Sequence, residues 1–437
     1  MAGAPVHAVR ARARHRHRAA RAVVCLQDLD GASMSPIPHV VVVDQSPTSG
    51  SPAGSCVLTQ VQGLLSDHRV TVFADQCELP VGERLAWKRV PVPRKPLFLR
   101  YVAFQCLARL KLLAWRLAGG RAALVQATQG QFVGADIVYA HFCHRAYLQG
   151  PWKQSGVRGP RRWARWINHR FNAWTEARAV ARATRVVVPS LGLAREVAAC
   201  YPGSESKLVT IPNPVDTDRF RRPPGFDRAA ARAGFGLPQH AFVFAFVALG
   251  DFSRKGLGLV IEALAGLEPR LRERARLLVV GGQPGEIESF RQLTLRHGVD
   301  GSVRFLGLQA DVRPCLWCAD GFVFPSTYET FSLAVHQAAA AALPLVVTRG
   351  LYGVEELVHD GVNGWAVERR AQAIRAAMQA LLELPADELH RMGEASRRAV
   401  QRCHPGAFVD SWRRLYAQML GTGDAVAPRT ATGGGAA

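Results

Sequence analysis

Two adjacent cations bounded by glycines, in Gly250-Asp251-Phe252-Ser253-Arg254-Lys255-Gly256, form the stretch of this sequence best suited to hold a phosphate. The stretch follows an apolar run and precedes a segment of helical period, so side-chain charge, backbone amides and a helix dipole favour an anion at one place. The GxxxxGK[ST] spacing of a Walker loop is absent, and a solvated basic turn is the alternative reading. A second loop, Thr327-Tyr328-Glu329-Thr330-Phe331-Ser332, sets a carboxylate before a segment expected to be helical as far as Leu343. There Glu329 can accept hydrogen bonds from sugar hydroxyls while the amides of the helix start face a diphosphate; its alternative role is to cap that helix. Third, Gly281-Gly282 after RLLVV leaves room for a base or ribose against the backbone, or makes a tight turn.

These loops need a frame, and the hydrophobic pattern supplies one. Short β-branched runs at His39 to Asp44, Val70 to Ala74, Ala123 to Thr128 and Ile137 to Ala140 alternate with longer segments of helical period. A second series, AFVFAFVALG, RLLVVGG, VRFLG, GFVFPS and PLVVT, begins near residue 241. Alternation of this kind gives parallel strands with crossover helices, hence an α/β chain with two doubly wound, Rossmann-like domains. Ligands of such sheets bind at the carboxyl ends of the strands. The expected divisions are a first domain over residues 34–211, a connector over 212–240 made stiff and non-helical by Pro212 and Pro214 around Asn213, a second domain over 241–405, and a returning helix over 406–420. Residues 421–437 are expected to be a disordered tail. Residues 1–33, with the tract RARARHRHRAARA, are expected to be a disordered basic tail or to precede a true start at Met34.

The chain has 437 residues and a net charge of +21, and the charge is unevenly spread. Residues 34–200 hold 22 Lys/Arg against 8 Asp/Glu, while residues 201–437 hold 27 against 24. One half is therefore expected to face something anionic. No apolar run reaches the roughly 18 residues that a membrane-spanning helix needs, and the nine cysteines are scattered, which points to a reducing compartment. Cys315-x-x-Cys318 has no accompanying ligand cluster and reads as core.

From about residue 39 to 420 the chain resembles the family 4 glycosyltransferases of the GT-B fold. The resemblance rests on DFSRKG, on VRFLG followed by ADVRPCLWCADGFVFPSTYETFSLAVHQAAAAALPLVV, on DGVNGWAV, and on VTIPNPVDTDRF, which looks like that family's IPNGVD-x-x-x-F connector. DFSRKG looks most like the branch containing lipopolysaccharide-core glucosyltransferases. The resemblance implies a retaining hexosyltransferase that uses a nucleotide sugar, without a metal or other cofactor, with the first domain on the acceptor side and the second binding the donor. It implies that Arg254 and Lys255 grip the donor diphosphate, with Gly250 in their loop. Glu329 matches the first acid of the family's E-x7-E signature and touches the transferred sugar, with Phe331, Ser332 and Leu333 as its neighbours. The second acid of the signature, which bonds the ribose, is replaced here by Gln337. A neutral amide can still donate and accept there. His141, in VYAHF, matches the family's active-site histidine, although a lone histidine at a strand end also has a structural reading; His144 is a second candidate. Gly54 stands in the place of the family's Gly-Gly pair, one glycine of which is missing, and Gly282 in the third loop completes the donor set.

The charge map then bears on the acceptor. Residues 158–174, RGPRRWARWINHRFNAW, place Trp163, Trp166, Ile167, Arg170, Phe171 and Trp174 near one helical face amid arginines. Aromatics with arginines suit an anionic headgroup layer; packing into the first domain is the alternative. A lipid-linked glycan, lipopolysaccharide or other envelope polysaccharide is the expected acceptor. UDP-hexose is the favoured donor and GDP-mannose the alternative. The expected location is cytoplasmic, on the inner face of the cytoplasmic membrane. The rival class, a basic protein binding nucleic acid, is disfavoured because no zinc-finger spacing, RRM signature or recognition-helix pattern accompanies the charge.

Overall fold

A computed structural model describes residues 37–154 and 159–422. The expectations for residues 1–33 and Met34, and nearly all of that for 421–437, lie outside the described residues.

Seven strands build the first sheet: β1 (His39–Val43), β2 (Arg69–Ala74), β3 (Leu85–Arg89), β4 (Leu124–Thr128), β5 (Ile137–Tyr139), β6 (Arg185–Val188) and β7 (Leu208–Thr210), in the order 3-2-1-4-5-6-7. Six build the second: β8 (Phe242–Ala248), β9 (Ala275–Gly281), β10 (Val303–Gly307), β11 (Gly321–Phe324), β12 (Leu345–Thr348) and β13 (Gly364–Val367), in the order 10-9-8-11-12-13. Every ladder between them is parallel. Helices cover both faces, which is why central strands such as HVVVV and FVFAFVA are apolar throughout rather than alternating. β3, LAWKR, escaped the sequence reading because this edge strand is half polar and lacks a β-branched run.

In each sheet the strand order reverses beside the first strand, between β1 and β4 and again between β8 and β11. Loops leaving adjacent strands at such a point diverge and open a crevice. That topology brings the loop after β8, with its two cations, beside the loop after β11, with its carboxylate, though 74 residues separate Lys255 from Glu329.

The linking segment has no regular secondary structure at 211–216 and then forms short helices at Thr217–Phe220 and Arg228–Gly234. The expectation of a non-helical connector over 212–240 thus fits only its proline-flanked start. Asp216 and Asp227 each accept a backbone N–H three residues on and so start the two helices. The final helix, Pro405–Leu420, returns to the first sheet. Its Trp412 and Tyr416 are fully buried there, and the Tyr416 hydroxyl donates to Gln126 of β4 at 2.6 Å. Gly63 permits that docking, because a β-carbon there would stand 2.3 Å from Val409.

Candidate active site

Arg254 and Lys255 end a single helical turn, Phe252–Lys255, and Gly256 separates it from the helix Leu257–Ala265. Gly256 has φ +85°, and a β-carbon there would lie 2.3 Å from the Pro325 carbonyl, so only glycine lets the loop after β8 press against the strand end of β11. The Arg254 backbone carbonyl accepts from Thr327 N at 2.9 Å, its guanidinium donates to the Tyr328 carbonyl at 2.7 Å, and it pairs with Asp251 at 2.7 Å. This loop is therefore held in place and is not a free basic turn.

Lys255 is largely buried and forms an ion pair with Glu329 Oε1, which also accepts from Ser326 Oγ at 2.9 Å. Burial pulls the Lys255 ammonium below the usual lysine range, and the facing Glu329 carboxylate opposes that shift. The ammonium also stands 5.3 Å from the centre of the Phe324 ring. Glu329 does not cap the following helix: its oxygen is taken by Lys255 and Ser326, and the helix Leu333–Ala340 begins behind Ser332 with no side-chain cap. Ser332 adopts φ +64°, and its buried Oγ has no hydrogen-bond partner. Phe331 is buried and stacks on His336 at 3.9 Å, fixing the turn from beneath. Leu333 and Gln337 lie half-buried on this helix.

From the first half of the chain, His141 follows β5 with its ring 4.0 Å from that of Tyr139. Burial pushes its imidazole down to about 3, so it is neutral around neutral pH, and its buried Nε2 has no protein partner. The loop owes its shape to Gln129, a residue the sequence did not flag: with its amide turned to suit both neighbours, its oxygen accepts from His141 N at 2.8 Å and Phe142 N at 2.9 Å. Phe142 meets Tyr328 at 5.9 Å between ring centres, which sets the His141 loop against the Glu329 loop. His144 packs on Phe142, with ring centres 4.9 Å apart. Its Nδ1 contacts His169 Nδ1 at 3.0 Å, and its backbone N–H donates to the buried Glu176.

The glycines of the candidate site make turns and close approaches within the protein, and Gly281 and Gly282, with φ +99° and +85°, fit the tight-turn reading. Gly281 and Gly282 make close approaches within the protein, since β-carbons there would strike the Ala248 carbonyl at 1.8 Å and the Phe252 ring at 2.4 Å. At Gly282 the Phe252 ring occupies the side on which a β-carbon would stand. The Gly54 amide donates to Ser51 Oγ at 3.2 Å and starts the helix Pro52–Leu64, and a β-carbon at Gly54 would stand 2.5 Å from the Ser46 carbonyl in the loop after β1. It gives the loop room rather than offering its amide outward. A β-carbon at Gly250 would touch only the Glu286 carboxylate, at 3.4 Å, which accepts from Phe252 N. Glu286 was missed because it lies in the first turn of a separate helix, Pro284–Arg296. Cys315 and Cys318 are buried, and no group of metal-ligating side chains occurs among the described residues.

Two doubly wound domains, with a cation pair and a carboxylate meeting at the switch point of the second sheet and the His141 loop of the first sheet packed against them through Phe142 and Tyr328, define the GT-B architecture. The chain carries the paired domains of glycosyltransferases: residues 53–219 match the model described as Glycosyltransferase Family 4, and residues 242–384 the model described as Glycosyl transferases group 1. It is similar to the D-inositol 3-phosphate glycosyltransferase of Saccharomonospora viridis, 32% identical over 266 residues, which are 56% of this chain and 59% of the relative. The enzyme of the same name from Geodermatophilus obscurus is 33% identical over 59% of this chain and 56% of its own length. The chain thus spans less than two thirds of these curated relatives. Among solved structures, WaaG, a glycosyltransferase involved in lipopolysaccharide biosynthesis, superposes with a TM-score of 0.66 over 85% of this chain and 99% of its own, at 18% identity. Anabaena HepE in complex with UDP-glucose gives 0.63 over 88% and 99%, at 17% identity.

Proposed function

We propose that the protein is a retaining glycosyltransferase that moves a hexose from a nucleotide sugar, UDP-hexose in the first instance, to an acceptor hydroxyl. The observation that carries this reading is the buried Lys255–Glu329 pair beside Arg254, at the uncapped start of the helix Leu333–Ala340. A donor diphosphate at Arg254 and Lys255 meets two cations, the amides of that helix start and the unpartnered Ser332 Oγ. Lys255 then turns from Glu329 to the phosphate, and Glu329 is freed to bind sugar hydroxyls.

As the glycosidic bond breaks, negative charge grows on the departing diphosphate, and the two cations stabilise it where another enzyme would use a metal. The acceptor hydroxyl enters on the face being vacated, and its proton passes to the leaving phosphate oxygen, so no protein base is required. Neutral His141 offers Nε2 to the transferred sugar. Phe331 and Leu333 shape the turn beneath, Gly250 leaves the phosphate loop open, and the Gln337 amide takes the ribose. Transfer in this scheme is insensitive to chelators.

For the acceptor, the strongly basic first half favours an anionic or lipid-linked envelope glycan at the inner membrane face, in keeping with a neighbour involved in lipopolysaccharide biosynthesis. A second reading, a phosphorylated polyol, is favoured by the name shared by the curated relatives. The test is nucleotide release from UDP-glucose, UDP-galactose, UDP-N-acetylglucosamine and GDP-mannose, each with and without lipid-linked glycan or inositol phosphate. Acceptor-dependent release of one nucleotide is expected. Binding of none of these donors would refute the reading.

A further inference from the structure

The helices Leu97–Leu117 and Pro160–Arg182 pack against each other beside the first sheet, joined by the edge-to-face pair Phe98 and Phe171 at 5.1 Å. Each buries one side, the first through Phe104, Ala108 and Leu112, the second through Thr175, Glu176 and Ala179 among others. A surface helix normally stops there, with polar residues on its outer side. These two do not. At about 100° per residue, Leu110, Leu113 and Leu117 fall opposite the buried positions of the first helix, and Trp163, Ile167 and Trp174 opposite those of the second. They are exposed, at 62%, 54% and 80% and at 68%, 44% and 52%.

The charge around these stripes has one sign. The first helix has four Lys/Arg and no acid; the second has six Arg and one acid, Glu176, which is buried. Arginines also lie over the exposed indoles, Arg178 at 3.6 Å from the ring centre of Trp174 and Arg170 at 5.5 Å from that of Trp166. An indole with its apolar body outward and a guanidinium against it matches the layer between lipid headgroups and acyl chains.

We propose that this two-helix face docks the protein onto an anionic lipid bilayer. Of the surfaces that would cover it, a second copy of the chain would bring a like-charged set of arginines across a two-fold axis, and a polynucleotide would pair with the cations but leave the leucine stripe in water. An anionic bilayer meets both features: leucine and tryptophan enter the interface, and the cations meet the headgroups. The inner side of the second helix reaches the crevice, where His169 packs on Tyr147 at 4.9 Å and Tyr147 lies 6.1 Å from Tyr328. Docking would therefore hold the crevice near the headgroups. It requires neither Lys255 nor Glu329, so it stands or falls apart from the transferase reading.

The experiment is sedimentation of the full chain with phosphatidylglycerol-containing vesicles and with pure phosphatidylcholine vesicles, at low and high salt. Binding to the anionic vesicles alone is expected, weakened by salt, with a blue shift of tryptophan emission. Leu113→Glu with Leu117→Glu, and separately Trp163→Ser with Trp174→Ser, should each reduce binding at least tenfold while leaving the melting transition in place; Lys255→Ala should bind vesicles normally. Absence of binding, equal binding to neutral vesicles, or binding indifferent to both double variants would overturn the proposal. So would a dimer that Leu113→Glu dissociates, or binding of single-stranded RNA that both double variants abolish while vesicle binding persists.

Discussion

The Tyr328 hydroxyl donates a 2.7 Å hydrogen bond to the Glu196 carboxylate, joining a residue of the second domain to one of the first. Tyr328 directly precedes Glu329, and its carbonyl accepts from Arg254. One residue thus ties the Glu329 loop, the Arg254 guanidinium and the opposite wall of the crevice. Ser190 Oγ adds a second tie by donating to the Thr330 carbonyl at 2.7 Å.

Tyr328→Phe removes the hydroxyl and leaves the half-buried Glu196 with one donor fewer. A hydrogen bond to a carboxylate contributes about 1.5–3 kcal/mol, so kcat/KM should fall by about tenfold or more as the loop loosens. Glu196→Gln should show a smaller loss of the same kind. Steady-state kinetics on both variants, with melting curves to confirm folding, checks this; unchanged kcat/KM in Tyr328→Phe would remove the tie from the mechanism.

Lys255→Ala should lower kcat by on the order of 10² or more, because it removes charge from a phosphate whose negative charge grows as the bond breaks. Arg254→Ala should cost less, since that side chain is more exposed and partly engaged by Asp251. Lys255→Ala also removes the ammonium that faces the largely buried Glu329 carboxylate, so a lower melting temperature is expected with it. Glu329→Gln in the same background should recover stability without recovering turnover, which separates the two effects.

Gln337→Glu should tighten the nucleotide diphosphate by about tenfold or less, the worth of one improved hydrogen bond to a ribose hydroxyl. Calorimetric titration reads it directly. A marked loss of affinity would mean that the pocket is built around the amide.

Glu176 supplies a pH prediction. Burial raises its carboxyl to about 8 from an ordinary value near 4.5, against the lowering influence of the Tyr201 hydroxyl and the His144 N–H. The folded state then holds a proton that the unfolded chain has released, so stability is full below about pH 4.5 and is lost as pH rises towards 8. The melting temperature should therefore fall across that window, and Glu176→Gln, which cannot ionise, should flatten the slope. Differential scanning calorimetry from pH 5 to 8 measures it; an equal slope in both proteins would refute the assignment.

Local signals were legible in the sequence where chemistry and backbone coincide. Apolar runs of strand length marked most of the parallel strands, and the glycine-bounded Arg254-Lys255 pair marked a loop that only a short turn could form. The sequence could not determine which loops would meet. The pairing of Lys255 with Glu329 depends on β8 and β11 being neighbours, which follows from the order in which strands close into a sheet. The same holds for Tyr328 with Glu196 and for the Gln129 clasp on the His141 loop, contacts between segments distant in sequence or made by an ordinary polar side chain. Gly282 shows the converse limit: a missing side chain announces close approach, but only tertiary packing decides that the approaching group is Phe252. Whether the Trp163 stripe would be core or surface was likewise open, because helical periodicity identifies an apolar face without saying what lies against it. In the fold, the opposite side of that helix, with Thr175 and Ala179, faces the protein, and the tryptophans are left outward.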